Sequence, residues 1–268
     1  MPRVKPKHRR MITAEIVRTE RITPSFHRLT LGGEMLKDFE ALGADQMFRL
    51  FFRRPHQDAV RLPTSSTEGG WMAQTLLMGV ATRPYVRYYT VRGYRPDLAE
   101  LDVELVLHGD DSPASVWARA TRPGEQVGLF DEGRRYTPPP DVDWRLLVGD
   151  ESAVPAILAI LDDEQARPGV PTEVFLEVPG EQDVRTLDVP ANVRVHWLPR
   201  TDAGALPGRL ALDTVTRARL PAGRFSTFVA GERTLPGRLR SHLLAERGAR
   251  KADIMFFGYW RHGRSSPG

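Results

Sequence analysis

The chain has 268 residues, a length that predicts two domains rather than one. It contains no cysteine, which excludes disulfides, thiolate-held iron–sulfur clusters and a cysteine nucleophile, so redox chemistry would need a borrowed cofactor. The net charge is only +4, from 38 Lys and Arg against 34 Asp and Glu, and the two signs are interspersed, which argues against a nucleic-acid partner and fits an anionic small molecule.

The first ten residues are basic, with Arg3, Lys5, Lys7, Arg9 and Arg10, and we predict a solvated tail there. This segment lacks the apolar core of a signal peptide, and no later apolar run has the length of a membrane span. The sequence therefore predicts a cytoplasmic protein without membrane insertion.

Residues 13–135 carry mostly strand signals. Short runs rich in β-branched and aromatic residues are separated by Gly, Pro and charged turns, at 13–18, 26–31, 47–52, 86–91 and 101–107. Residues 53–83 are less regular and predict a loop over these strands, with a short helix at 71–78. The spacing of the strands predicts an antiparallel barrel.

Three consecutive prolines at 138–140 predict a stiff linker, because proline continues neither a helix nor a central strand. We place the domain boundary there, with one domain at 1–137 and the other at 141–268. After the linker, strand and helix signals alternate, with strands at 144–148, 173–178, 193–198, 226–230 and 253–257 and helices at 152–162 and 235–247. This alternation predicts a parallel α/β sheet.

Residues 87–92 combine two arginines, two tyrosines and a threonine in one predicted strand. Arg87 and Tyr89 share one face of such a strand, so a guanidinium and an aromatic plane can address the phosphate and the ring of one ligand. Thr90 offers a further hydrogen bond from the next position. Taken alone, the hexapeptide is more typical of an ordinary barrel strand than of a binding site.

Residues 108–118 follow a strand and open a helix. Ser112 suits the N-cap and Pro113 the first helical position, an arrangement that points backbone N–H groups at the strand end and makes a seat for a pyrophosphate. Ala114 is small, and Ser115 adds a hydroxyl. The alternative is a helix with an ordinary cap, and His108 by itself favours a turn or packing role.

Residues 148–156 form a strand, a turn and a helix in the place where dinucleotide-binding domains hold phosphate. The turn lacks the glycine-rich fingerprint, and Asp150 and Glu151 are expected to weaken nucleotide binding by repulsion. Ser152 is predicted to cap the helix. Glu177 ends the next strand, where an acid can hold a ribose diol, although its spacing from Gly149 exceeds the usual interval.

Two further segments lie at the edge where ligands bind in such sheets. Gly231 and Glu232 end one strand, and Tyr259 and Trp260 follow the last strand, where alone they favour an interfacial plug over a cofactor cover. The histidines show no metal-ligand spacing, and the chain has no Gly-x-Ser-x-Gly elbow and no Walker-type loop. Hydrolase and nucleotide-triphosphatase functions therefore have little support.

Taken together and in this order, the segments resemble siderophore-interacting proteins, which are flavin-dependent ferric-siderophore reductases of the ferredoxin-reductase-like superfamily. The similarity runs from Ile12 to Gly263, and its most specific segments are at 87–92, 107–109, 113–118, 149–156, 230–232 and 258–261. Residues 45–49 also resemble the family's Asp-Gln-x-x-Lys stretch, with Arg49 at the basic position. The resemblance implies an N-terminal antiparallel Greek-key FAD-binding β-barrel followed by a C-terminal parallel-sheet α/β domain that binds the reductant.

The same resemblance implies a role for each matching residue. Arg87 would face the flavin pyrophosphate, Tyr89 the isoalloxazine and Thr90 the polar edge of the ring, while the acidic pair at 150–151 becomes a family trait. The implied FAD-binding residues are Arg87, Tyr88, Tyr89, Thr90, Arg92, His108, Gly109, Pro113, Ala114, Ser115, Trp117, Tyr259 and Trp260. The residues implied to bind NADH or NADPH are Gly149, Asp150, Glu151, Ser152, Gly231 and Glu232. Asp111 and Ser112 depart from the glycine pair expected before the Pro-Ala-Ser segment.

The implied activity is electron transfer from NADH or NADPH through FAD to a ferric siderophore, so that iron leaves as Fe(II). Arg49 and Arg261 are expected to hold the anionic chelate, and no protein metal ligand is expected. A ferredoxin could replace the coenzyme as electron donor. Three alternative functions are also open: a flavin or ferredoxin-type reductase with another acceptor, a non-catalytic flavin or siderophore-binding protein, and a basic nucleic-acid module.

Overall fold

The computed structural model describes residues 3–65, 67–107, 109, 112–163, 169–202 and 204–264. The chain divides into two compact units, of which the first ends at Arg135 and the second begins at Tyr136. Within the described ranges, no helix combines the length and the apolar character that crossing a bilayer requires.

The first unit is a seven-stranded antiparallel sheet with two helices. Its elements are β1 Met11–Thr23, β2 Phe26–Gly32, β3 Met47–Phe52, α1 Glu68–Leu77, β4 Tyr85–Thr90, β5 Gly93–Arg95, β6 Glu100–Val106, α2 Pro113–Ala120 and β7 Gln126–Gly133. The strand order is β4-β3-β7-β1-β2-β6-β5, and every pair is antiparallel. Because β7 lies between β3 and β1, the chain returns over a long connection, as in a Greek key. The predicted antiparallel, barrel-like fold is confirmed.

Strand β6 shows how the sequence builds this sheet. Its apolar residues recur every second position, and Leu101, Val103 and Leu105 are fully buried in the barrel core. The intervening acids lie on the opposite face, where they pair with arginines of other strands. The strand is therefore fixed on both faces, by packing on one and by ion pairs on the other.

The basic N-terminal segment is part of this unit, so the prediction of a solvated tail is wrong. Val4 and Arg134 exchange two main-chain hydrogen bonds of 2.9 Å each, which add a short bridge next to β7. Arg3 and Arg9 donate to the buried carboxylate of Glu132 at 2.5 and 2.7 Å. A carboxylate buried in the barrel thus attracts and orders a segment whose charge alone indicates solvation.

The second unit is a five-stranded parallel sheet with helices. Its elements are β8 Trp144–Gly149, α3 Val154–Asp162, β9 Thr172–Val178, β10 Val193–Pro199, α4 Arg209–Arg217, β11 Phe225–Glu232, α5 Thr234–Glu246 and β12 Ile254–Trp260. The order is β10-β9-β8-β11-β12, and every pair is parallel, which confirms the predicted α/β architecture. The carboxyl ends of the strands therefore meet at one edge, where ligands bind in folds of this class.

Candidate functional site

Strand β4 places Arg87 and Tyr89 on one face, as its period of two predicts. Tyr89 pairs with Phe48 of β3 and packs against the barrel core, and burial raises the pKa of its phenol. The Arg87 guanidinium donates to the Val86 carbonyl oxygen at 2.8 Å, and among the described residues it has no carboxylate partner. Thr90 is buried at the end of the strand. The strand thus presents a cation without a counter-charge beside a neutral aromatic ring.

Two other residues of the predicted FAD site are held by neighbours within the barrel. Tyr88 projects from the opposite face of β4 and is 47% exposed, with its ring 4.2 Å from the guanidinium carbon of Arg49. Arg92 lies with its Nε 3.7 Å from the buried carboxylate of Glu104. The ion pair gives Arg92 a structural role in the barrel, which the sequence alone does not show.

Arg49, predicted to hold the substrate, joins the ion cluster on Glu132. Its Nε donates to the Glu132 carboxylate at 2.7 Å, and the guanidinium carbon lies 4.7 Å from the ring centre of Trp71. Arg3 and Arg9 bind the same carboxylate, so three cations surround one buried anion. The cluster keeps a positive surplus, although Arg49 is not a free cation as the sequence suggests.

Helix α2 begins at Pro113 with Ser112 at the N-cap position, as predicted, but the Ser112 side chain makes no capping hydrogen bond. The N-cap side chain itself therefore satisfies none of the N–H groups of the first turn. Ser115 is buried in this turn, Ala114 packs against the barrel core, and Gly109 is exposed with a φ of +54°. His108 lies outside the described residues.

Trp117 packs in the barrel core. Its ring stacks on Phe52 with 4.5 Å between centroids, and its indole N–H donates to Glu125 at 2.6 Å. Because the side chain is buried and its only polar atom is bonded, the structure assigns Trp117 to packing. The predicted contact of Trp117 with FAD stays a prediction.

The described residues of the first unit fit FAD as far as their chemistry can be tested. In the described part of the chain, Arg87 supplies a guanidinium without a carboxylate partner, the N-cap Ser112 makes no capping hydrogen bond at the start of α2, and Tyr89 supplies an aromatic face. These are the partners that a pyrophosphate and a flat ring require. No cluster of acids and histidines suited to a metal ion occurs in the described part of the chain.

The turn after β8 is organised by Asp150, not by Ser152, so the predicted cap is wrong. The buried Asp150 carboxylate accepts hydrogen bonds from the Ser152 N–H at 2.9 Å and hydroxyl at 2.6 Å. It also accepts the Glu232 N–H at 2.5 Å and the Trp260 indole N–H at 3.3 Å. Burial and the neighbouring Glu151 carboxylate raise the pKa of Asp150. Helix α3 starts only at Val154.

Glu151 is paired within the sheet rather than exposed to an incoming phosphate. Arg200 donates to both of its carboxylate oxygens, at 2.7 and 2.9 Å, and both side chains are buried. The expected repulsion of a nucleotide is therefore reduced at both acids, because Asp150 is biased toward protonation and Glu151 has a guanidinium partner.

Two glycines allow this arrangement. A Cβ at Gly149 would lie 2.6 Å from the Cβ of Ala153, so glycine lets the following turn approach the strand closely. Gly231 has a φ of +142°, and a Cβ there would lie 2.6 Å from the Asp150 carboxyl carbon. The two motifs, distant in sequence, form one packing unit at the edge of the sheet.

The last strand ends at this edge. Tyr259 and Trp260 are half-buried at the end of β12, whereas the following Arg261 is exposed. A cavity of about 530 Å³ lies beside Arg261 and is also lined by Arg233 and Arg238. No sequence motif marks Arg233 and Arg238. The only signal in the sequence is that both follow the end of β11 within about two helical turns.

Glu177 faces the interior of the unit and serves internal donors rather than a ribose. It is fully buried, and its carboxylate accepts the N–H groups of Gly208 and Ala211 at 2.9 Å each, at the start of α4. Arg200 donates to it as well, at 2.9 Å. The carboxylate caps α4 and neutralises a buried cation, so the ribose role considered from sequence is not supported.

Comparison with known proteins matches both units. Residues 15–136 match the model of the siderophore-interacting FAD-binding domain, and residues 142–263 match that of the siderophore-interacting protein. The chain is 30% identical over 253 residues to the ferric vibriobactin reductase of Vibrio cholerae, covering 94% of this chain and 89% of that protein. It is 31% identical over 235 residues to the NADPH-dependent ferric-chelate reductase of Escherichia coli, covering 86% and 85%. The crystal structure of a siderophore utilization protein from T. fusca matches with 28% identity and a TM-score of 0.82, covering 98% of both chains.

Proposed function

Because the chain belongs to the siderophore-interacting protein family, with its FAD-binding domain in the first unit, we propose that it transfers electrons from NADH or NADPH through FAD to a ferric siderophore. The observation that carries the proposal is that both family domains are present in order, in a chain that is similar along most of its length to two ferric reductases. Reduction to Fe(II) lowers the charge on the metal and weakens its bonds to oxygen ligands, so that iron is released.

Within this function, the first unit holds the cofactor. FAD, when bound, converts the two-electron donation of a nicotinamide into the single electrons that ferric iron accepts. We assign Arg87 and the first turn of α2 to the pyrophosphate, and Tyr89 to the ring. The Tyr89 phenol is neutral at physiological pH, and burial raises its pKa further, so it adds no charge next to the anionic cofactor.

The second unit is proposed to bind the coenzyme at the edge formed by β8, β11 and β12. Asp150 and Glu151 are satisfied by internal donors, which reduces the repulsion that favoured a non-catalytic carrier. Tyr259 and Trp260 supply aromatic surface at the same edge. A nicotinamide coenzyme is a cytoplasmic reductant, and we extend the proposal to that location.

The ferric siderophore is proposed to be held by positive charge. The cluster of Arg3, Arg9 and Arg49 on Glu132 has a surplus of cations, and Arg261 is exposed. Such charges attract an anionic chelate over several ångströms and fall in effect as salt is added. Arg261→Gln is expected to raise the KM for an anionic ferric chelate and to leave the KM for a neutral dye unchanged, whereas an equal effect on both acceptors contradicts this role.

The function is tested first by the colour and then by the turnover of the purified protein. A yellow protein that releases FAD on denaturation, and whose flavin is bleached on rapid mixing with NADH or NADPH, supports the proposal. A ferric siderophore should then restore the oxidised spectrum and yield Fe(II). A colourless protein that cannot be reconstituted with FAD would refute it.

Acceptor specificity distinguishes the remaining reductase alternative. A general flavin or ferredoxin-type reductase would turn over free flavin or dye acceptors with higher kcat/KM than ferric siderophores. A carrier would show no bleaching with either coenzyme. A ferredoxin as donor is tested by replacing the coenzyme with a reduced ferredoxin in the same assay.

A further inference from the structure

A groove lies at the carboxyl edge of the second unit, between the exposed face of α5 and the residue that follows β12. Its volume is about 530 Å³, and three exposed arginines line it: Arg233, Arg238 and Arg261. Within the described ranges, none of the three guanidinium groups makes a hydrogen bond or an ion pair. Three positive charges thus converge on one cavity.

Other arginines of the same unit are paired with buried acids. Arg200 is held by the buried carboxylates of Glu151 and Glu177, and Arg224 by the buried carboxylate of Asp253. Neighbouring guanidinium groups without a counter-charge repel one another, so the groove arginines add no evident stability. A ligand of opposite charge would remove this repulsion.

The single acid that lines the groove does not neutralise it. Glu232 is buried, and its carboxylate accepts the N–H groups of Thr234 at 2.7 Å and His262 at 3.3 Å. Burial opposes ionisation of Glu232, but these hydrogen bonds outweigh it and lower the pKa. With Glu232 counted as one negative charge against three arginines, the lining keeps two positive charges.

We propose that this groove binds a multiply charged oxyanion carried by one of the two reactants, either the carboxylates of an anionic ferric chelate or the phosphates of a nicotinamide coenzyme. A guanidinium donates paired hydrogen bonds to either group, which an ammonium cannot do. Thr234 and Ser241 line the same cavity. Its volume falls within the range of small-molecule sites. The inference rests on the proposed function only for the identity of the two reactants.

The test measures equilibrium binding to the FAD-loaded protein by calorimetry, without turnover. One probe is the gallium(III) complex of a citrate-type siderophore, which has the charge of the ferric complex but is not reduced, and the other is 2′,5′-ADP. The test variant carries Arg233→Gln and Arg238→Gln, both at exposed positions. The control is Arg217→Gln, on α4 of the same unit with 80% of its side chain exposed.

The double variant is expected to weaken one probe about tenfold and the control less than about twofold, with the difference shrinking as salt is added. A loss confined to the gallium complex assigns the groove to the substrate, and a loss confined to 2′,5′-ADP assigns it to the coenzyme. The proposal is overturned if both probes bind the double variant as tightly as the parent, if the control loses as much affinity, or if the parent binds neither probe. Neither probe is reduced, so a failed reductase assay would not change the binding result. If the double variant shows full turnover and unchanged binding of both probes, the groove proposal fails and the proposed function stands.

Discussion

The side-chain carboxylate of Asp150 accepts a hydrogen bond from the main-chain N–H of Glu232, with 2.5 Å between the two atoms. The residues stand at the ends of neighbouring parallel strands, β8 and β11. The intervening space exists only because residue 231 has no side chain. One carboxylate therefore ties together both turns that are assigned to the coenzyme.

Gly231→Ala is expected to destabilise the protein by about 2 kcal/mol, because it adds a Cβ against Asp150 and forces alanine into a backbone conformation that favours glycine. The measurement is the free energy of unfolding in denaturant. Gly237→Ala is the matched control. It lies inside α5 with nothing within 4 Å of its added Cβ, so it should stabilise by about 0.5 to 1 kcal/mol. Equal effects of the two variants would contradict the close packing at 231.

Arg87→Ala is expected to lower FAD occupancy more than stability, because the guanidinium has no carboxylate partner in the described structure whose charge would be left buried. Bound flavin is read from the visible absorption after desalting, and stability from thermal unfolding of the apoprotein. Arg95→Ala provides the opposite case in the same unit. Arg95 bonds Asp102 and Glu100, so its loss should lower stability and leave FAD occupancy unchanged. Full flavin occupancy in Arg87→Ala would refute the assignment of this strand.

Trp117→Phe separates a packing role of this side chain from the predicted contact with FAD. The variant keeps an aromatic ring near Phe52 but loses the hydrogen bond to Glu125, so stability should fall by about 1 to 2 kcal/mol. FAD content after purification is expected to equal that of the parent. A loss of FAD without a change in the free energy of unfolding would return Trp117 to the cofactor site.

The sequence predicts elements whose signals are local, and it misses those fixed by distant residues. Helix α4 begins at Arg209, and its N-cap residue Gly208 has no side chain to cap it. The carboxylate of Glu177 from β9 supplies the acceptor instead. Strand β7 contains two glycines and two acids, a composition typical of a turn, yet Gln46 and three arginines bind those acids from elsewhere in the unit. Both misses arise because the stabilising partner is not a neighbour in sequence.

The same limit applies to the site. Arg87 and Tyr89 were predicted correctly to share a face, since a strand's period depends on local geometry alone. The pairing of Arg49 and Arg92 with acids depends on strand order, which a single sequence does not give. The sequence therefore predicts ligand contacts for Arg49 and Arg92, whereas the fold pairs both with buried acids.

Glu132→Gln is expected to destabilise the protein by about 3 to 5 kcal/mol, because it leaves three arginines around a site with no negative charge. Added salt should restore part of the loss by screening their repulsion. The comparison is Asp38→Asn, which removes a carboxylate that is 76% exposed and pairs with Arg10, and should cost less than about 0.5 kcal/mol. A similar loss of unfolding free energy in the two variants would contradict the stabilising role of Glu132 in this cluster.

The raised pKa of Asp131 makes the free energy of unfolding depend on pH. Burial raises its pKa from 3.8 to about 6, although hydrogen bonds from the Gly133 N–H and the Gln46 amide oppose the change. Between these two values the folded chain holds more protons at this site than the unfolded chain, so this site's contribution to the free energy of unfolding falls as pH rises from about 4 to about 6 and is constant above. Asp131→Asn should remove this part of the slope. The measurement is denaturant unfolding at several pH values, and identical slopes in parent and variant would contradict the raised pKa.

Glu177 also limits how this chain can be engineered. An acid at the end of the second strand of a dinucleotide-binding sheet is the usual residue to replace when coenzyme preference is to be changed. Here the same carboxylate caps α4 and neutralises Arg200, so a substitution would first release two main-chain donors and a buried cation. Libraries that aim at coenzyme preference should therefore hold residue 177 fixed, because most changes there would be eliminated as misfolded protein before their specificity could be observed.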